Sequence, residues 1–257
     1  MKKTLLAISI AAASLPLWAQ SLSMGATAVP HAELLELVRP QLAEQGIDLQ
    51  VRVFTDYVQP NIQVQEGRLD ANFFQHLPYL ENFNQNRGTN LVSLFGVHVE
   101  PFGIYSSSHT ELSQLNNRAT VAIPNDATNG GRALLLLQKA GLISLKSEAG
   151  ITATPRDIID NPLNLRIREI EAATLPRILG QVDLALINTN YALEAGLNPM
   201  QDALLLEGAD SPYVNIVVSR AGYEQDERLL ALQEALMSDQ VKEFINQRYQ
   251  GAVVPAF

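Results

Sequence analysis

Short apolar runs alternate with longer amphipathic ones along most of this chain, and that alternation restricts the fold more than any other feature. The clearest unit is Thr120 to Ile143, TVAIPNDATNGGRALLLLQKAGLI. Val121 to Ile123 reads as a short strand, and Asn125, Asp126 and Thr128 are cap-type residues. The apolar run Ala133 to Leu137 continues as a helix, and Gly141 sits where that helix would stop. In the first turn, Gly130-Gly131-Arg132 sets two positions without side chains beside a guanidinium. A ligand could approach the backbone there, free N–H groups attract an anion, and the arginine fork fits a carboxylate. The same residues also fit an ordinary capped junction with a surface arginine. No Gly-Lys-Ser/Thr follows, which excludes a P-loop.

The pattern repeats on both sides. Leu22–Ala26, Leu49–Phe54, Leu69–Phe74, Leu91–Val99, Phe102–Tyr105, Leu165–Ile170, Val182–Ile187, Leu204–Leu206 and Val214–Ser219 read as strands. Helices are expected over His31–Glu44, from Asp56 to about Gly67, from His76, around Leu175–Leu179, over Asn188–Ala195 and twice in Glu224–Tyr249. Pro40 predicts a kink or early stop in the first of these. Strands alternating with helices mean an α/β architecture with mainly parallel sheets. No Gly/Ser linker divides the chain, so two lobes would share strands as hinges, with crossings at Val97–Tyr105 and Pro212–Val218.

Met1-Lys2-Lys3 followed by the apolar Thr4–Leu17 reads as a secretory signal peptide with cleavage after Ala19. No other apolar run is long enough to span a bilayer. The formal charge is −9, more negative still without Lys2 and Lys3, and argues against nucleic acid or an anionic membrane as partner. The chain has no cysteine, which removes disulfides, thiolate chemistry and an N-terminal lipid-bearing cysteine. His31, His76, His98 and His109 show no i, i+4 pairing, so no metal site is expected. Neither a Gly-x-Ser-x-Gly elbow nor a strand-linked Gly-x-Gly-x-x-Gly is present, which points away from an enzyme.

Four stretches offer binding chemistry. Asp70–Tyr79 packs Phe73, Phe74, His76 and Tyr79 into one strand-to-helix turn, a good apolar pocket wall or simply core. Tyr57 follows Asp56 at a strand end, where ligand loops gather, or is a half-buried tyrosine beside a cap. Asn188 and Asn190 end an apolar strand with amides, which suit both ends of a zwitterion or cap the next helix. Asn215 lies inside an apolar strand and needs a partner, from the protein or from a ligand.

FFQHLPYL, PNDATNGGRALLLLQKAGLI, INTNYALEAGLNP and DSPYVN resemble the NlpA/MetQ family, the methionine-binding substrate proteins of bacterial ABC importers, from about Gly25 to the end. The resemblance implies a two-lobed, type II periplasmic-binding-protein fold with a ligand cleft between lobes. Lobe 1 would comprise residues 20–100 plus 216–257, and lobe 2 residues 101–215, after a leader of residues 1–19. It implies that Tyr57, Phe74, His76 and Tyr79 surround the ligand side chain and that Arg132 grips the α-carboxylate. Asn129, Asn188 and Asn215 would complete the cage, Asn188 being preferred to Asn190 by its place in the motif. It implies no cofactor, and a permease with its ATPase as partner. Many members carry a lipidated cysteine that this chain lacks, so the expectation is a soluble periplasmic protein carrying methionine, the L form first. D-methionine, a methionine-containing dipeptide, another apolar amino acid or a surface interaction role are the alternatives.

Overall fold

The computed structural model describes residues 20–208 and 212–257; the expected leader lies outside them. Strand β1 (Gln20–Ala26) leads through α1 (Glu33–Glu44) to β2 (Ile47–Val53), which runs parallel to it from Gln20 opposite Ile47 to Ala26 opposite Val53. Helix α2 (Gln59–Gln65) leads to β3 (Ala71–His76), parallel to β1 on its other side. Helix α3 (Leu77–Arg87) and β4 (Leu91–Val99) end the chain's first passage through this half.

The chain then enters a second sheet with β5 (Gly103–Tyr105), β6 (Thr120–Pro124) and α4 (Ala127–Lys139). A hairpin of β7 (Ser144–Leu145) and β8 (Ile158–Asp160) precedes β9 (Arg166–Ile170). Next come β10 (Leu184–Ile187), α5 (Thr189–Glu194), α6 (Pro199–Asp202) and β11 (Ala203–Leu206). The return is made by β12 (Val214–Arg220), α7 (Glu227–Leu236), α8 (Asp239–Tyr249) and β13 (Val254–Pro255).

The two main sheets have the orders β13-β4-β12-β3-β1-β2 and β11-β5-β10-β6-β9. Both are mixed, which corrects the expectation of mainly parallel sheets. The βαβ units give the parallel pairs β1 with β2 and β3, and β6 with β9 and β10. Strands next to the crossings enter the other way: β12 is antiparallel to β3 and β4, and β5 to β10 and β11. Alternation along a sequence reveals crossover units, but not which returning strand inserts between earlier ones.

Burial follows the patterning. Leu34, Leu35, Val38 and Leu42 form one stripe of α1, which packs with Leu229, Leu232, Leu236 and Ile245 of the last two helices over the first sheet. Pro40 neither stops nor shortens α1. It lies on the exposed face, where the carbonyl left without its helical donor faces water. The helix expected at Leu175–Leu179 is a 3-10 segment, Ala172–Gln181, with Pro176 inside it. A separate core of Val121, Ile123, Leu134, Leu137, Leu184 and Leu186 holds the second sheet to α4.

Candidate functional site

Four strand ends converge between the sheets: the ends of β3, β6 and β10 and the start of β12. One cavity opens among them, lined by Tyr57, Phe74, His76, Tyr79, Asn129, Arg132, Asn188 and Asn215. All eight residues singled out from the sequence therefore meet in one place. Gln75, Glu100, Thr189 and Asn190 line it as well. The cavity is small, with a volume of about 20 Å³.

One wall is aromatic. The ring of Tyr57 lies 5.9 Å from both Phe74 and Tyr79 and 4.9 Å from Tyr191. The Tyr79 hydroxyl donates to the Tyr57 carbonyl at 2.9 Å, which fixes two of these rings together. Burial raises the Tyr57 hydroxyl well above its ordinary pKa, so it stays a proton donor, and it donates to Asn190 Oδ1 at 2.6 Å. Phe73, on the other face of β3, points away into the first sheet's core.

His76 ends β3 and caps α3. Its Nδ1 accepts from the Tyr79 backbone N–H at 3.2 Å, so Nε2 carries the hydrogen and donates to Asn129 Oδ1, also at 3.2 Å. Burial, aided by the Arg132 charge, lowers its pKa to about 3 and keeps the ring neutral. Asn129 Oδ1 also accepts from Asn188 Nδ2 at 2.9 Å, while its own Nδ2 donates to both Asp126 oxygens at 3.0 Å. The polar groups of Asn129 are thus committed within the protein.

The start of α4 differs from its reading as an anion cradle. Asp126 is the N-cap, and its own carboxylate accepts from the Asn129 N–H at 2.9 Å. The two glycines serve packing, not ligand access. A Cβ on Gly131 would lie 2.2 Å from the Ile151 carbonyl oxygen, and one on Gly130 would lie 2.9 Å from that of Pro124.

Arg132 reaches the cavity with its fork already engaged. Nε donates to both oxygens of Glu207 at 3.1 and 3.0 Å, and Nη2 donates to Glu207 and, at 2.8 Å, to the Glu100 carbonyl. The fork expected to be free for a ligand carboxylate is therefore occupied by the chain's own acid.

The amides carry the unused capacity. Asn188 opens α5 without capping it, and its Oδ1 is buried with no hydrogen-bond partner; Asn190 Nδ2 is likewise buried and unpaired among the described residues. An orphaned acceptor and an orphaned donor in one lining call for a ligand presenting both kinds of group. Asn215 Oδ1 accepts from His31 Nε2 at 2.9 Å, so Asn215 has a structural partner as well as a place in the lining.

Beneath lies a buried group absent from the sequence reading. Glu100 accepts from His98 Nε2 at 2.8 Å and from the Asn190 N–H at 2.9 Å, with His31 Nε2 at 3.4 Å. Burial raises its pKa and lowers those of His31 and His98 to about 4 and about 3. His31, His98 and Glu100 place three donor atoms within 4.8 Å, a composition a divalent metal could use. Here their Nε2 atoms face the oxygens of Glu100 and Asn215, and the group forms a hydrogen-bonded network. A lone acid in the apolar run Leu91–Tyr105 was the available signal for Glu100; nothing in sequence links it to His31.

This arrangement, two mixed sheets facing each other across a nearly filled cavity and joined by two crossings, defines a two-lobed α/β substrate-binding fold. The model of the NlpA lipoprotein family matches residues 22–257, and the chain belongs to that family. It is 45% identical over 211 residues to the D-methionine-binding lipoprotein MetQ of Salmonella typhimurium, covering 81% of this chain and 78% of that one. A nutrient-binding protein from Burkholderia cenocepacia, solved bound to methionine, superposes with a TM-score of 0.89 at 43% identity, over 92% of this chain and all of that one. An ABC-transporter periplasmic substrate-binding protein from Coxiella burnetii gives 0.87 at 45%, over 91% and 100%. No helix among the described residues is long and apolar enough to cross a membrane.

Proposed function

We propose that this chain is a periplasmic binding protein that captures methionine, with the L form first, and delivers it to the permease of an ABC importer. The observation that carries the reading is the cavity itself: three aromatic rings on one side, and Arg132, Asn188 Oδ1, Asn190 Nδ2 and Glu100 on the other. A thioether chain suits the rings, since sulfur packs well at aromatic edges. A carboxylate suits Arg132 and the Asn190 amide, and an ammonium suits Asn188 Oδ1 and the buried carboxylate of Glu100. Tyr57, Phe74 and Tyr79 enclose the side chain, with His76 and Asn129 holding the two walls together and Asn215 closing the floor.

The D-methionine-binding, methionine-bound and ABC-transporter relatives support methionine as the ligand and a transporter as the partner. In this reading residues 1–19 are an export leader, lobe 1 is 20–100 plus 216–257, and lobe 2 is 101–215. Turnover is not part of the reading, because the His76 ring and the Asp126 and Glu100 carboxylates are engaged in structural bonds.

The test is mass spectrometry of small molecules released by denaturing freshly purified protein, followed by calorimetry with L- and D-methionine. Stoichiometric methionine, or a saturable isotherm with either enantiomer, supports the reading. Another amino acid or a peptide moves the specificity, and a protein that binds none of them overturns it.

A further inference from the structure

We propose that Glu207 is a positioning residue for anion recognition: it clamps the Nε/Nη2 edge of Arg132 so that the cavity meets this arginine only end-on, through Nη1. The inference rests on the methionine-binding reading given above. Four observations converge on it. Glu207 takes Nε with both carboxylate oxygens and Nη2 with one, whereas Nη1 has no hydrogen bond to a described residue. Arg132 lines the cavity and Glu207 does not, so the acid sits behind the guanidinium instead of competing with a ligand in front of it. The plane is fixed as well, with the guanidinium carbon 4.1 Å from the Tyr213 ring centre and 5.1 Å from that of Phe102. Finally, Glu207 is anchored by its own backbone, its N–H donating to the Phe102 carbonyl at 2.8 Å.

Arginine alone has many rotamers, and an unclamped guanidinium beside a cavity would lose entropy on gripping a carboxylate. Fixing it beforehand removes that penalty and selects one approach. Arg132 is also held by the Glu100 carbonyl between β4 and β5 and by Glu207 between β11 and β12, the two stretches along which the chain passes from one sheet to the other. The anion-reading group is therefore aligned only while the two crossings lie side by side. The specificity consequence is geometric: one carboxylate oxygen faces Nη1 and the other is left for the neighbouring amides, so a flat bidentate Arg–carboxylate pair does not form in this cavity.

The experiment uses the mature protein with Glu207→Ala and Glu207→Gln, each alone and combined with Arg132→Lys. Two readouts are taken: L-methionine affinity by calorimetry, and the ¹⁵N–¹H signal of Arg132 Nε, assigned by its disappearance in Arg132→Lys. In E207A we expect affinity to fall roughly ten- to a hundredfold, the range seen when the partners that orient metal-binding side chains are removed, with the Nε–H signal shifted and fast-exchanging. E207Q, which keeps an acceptor oxygen, should fall between. On the Arg132→Lys background, which has no Nε to clamp, the E207A loss should disappear. An E207A protein with unchanged affinity and an unchanged Nε–H signal overturns the proposal, as does an equal loss on both backgrounds. Where a variant melts too low to titrate, or the lysine background binds too weakly, E207Q and the Nε–H signal decide. A wild type that binds no methionine sinks the ligand assignment alone, because the Nε–H signal still reports the clamp.

Discussion

Replacing Arg132 with alanine should weaken methionine binding by on the order of 2–4 kcal/mol, read by calorimetry, because a ligand carboxylate would then face amides without a charge. Unchanged affinity would remove Arg132 from the site. A second prediction concerns protons. Burial holds the His31, His76 and His98 pKa values at about 4, about 3 and about 3, below the ordinary 6.5. As pH falls below 6.5 the unfolded chain takes up protons that the folded chain refuses. Stability that is full above that value is lost on acidification, at up to about 1.4 kcal/mol per pH unit per histidine. Glu100 and Asp126, raised by burial, act the other way and recover part of the loss as they protonate in the folded state. The urea midpoint should therefore fall from pH 7.5 through 6 to 5, and a flat midpoint would contradict three neutral buried rings. At this scale the sequence could be read where chemistry and motif coincide, as at Phe74, His76 and Arg132. It was silent on Glu100 and Glu207, because the meaning of a carboxylate depends on which cation or amide the fold places beside it: for Glu100 the Asn190 N–H, 90 positions away, and for Glu207 the Arg132 guanidinium, 75 positions away.

At the scale of elements, the strand-loop-helix unit β6–α4 shows both what patterning reveals and what it hides. Cap residue, apolar stripe and stop signal put the element in place. The purpose of Gly131 was hidden, because the contacting backbone at Ile151 belongs to a loop with no periodicity. Gly131→Ala should destabilise the protein by about 1–3 kcal/mol, the usual range for overpacking, with methionine affinity retained in the folded fraction. Calorimetric unfolding beside a binding isotherm separates the two effects. Loss of affinity at unchanged stability would restore the reading of Gly131 as a ligand-approach position. Sheet direction was lost for a related reason. Each strand's burial pattern is local, whereas the insertion of β12 between β3 and β4 depends on a partner more than a hundred residues earlier.

For the whole molecule, the closed cavity depends on hydrogen bonds between the halves. Tyr57 donates to Asn190 at 2.6 Å, Tyr191 to the Thr55 carbonyl at 3.0 Å, and His76 to Asn129 at 3.2 Å. Tyr57→Phe keeps the aromatic wall and deletes one of them. It should raise the methionine dissociation rate several-fold, in line with about 1 kcal/mol for a net hydrogen bond, and stopped-flow displacement would measure it. An unchanged rate would show that this bond does not hold the cleft. The small free volume of the cavity has a kinetic corollary. A molecule so enclosed cannot leave by shedding contacts one at a time; bonds between the halves such as these must yield before it moves. Its escape is then timed by the opening of the cleft, so two ligands that differ in affinity should differ mainly in how often the cleft opens while each is inside. For a carrier that hands its cargo to a second protein, this makes the residence time a property that the receiving partner can shorten simply by prising the lobes apart.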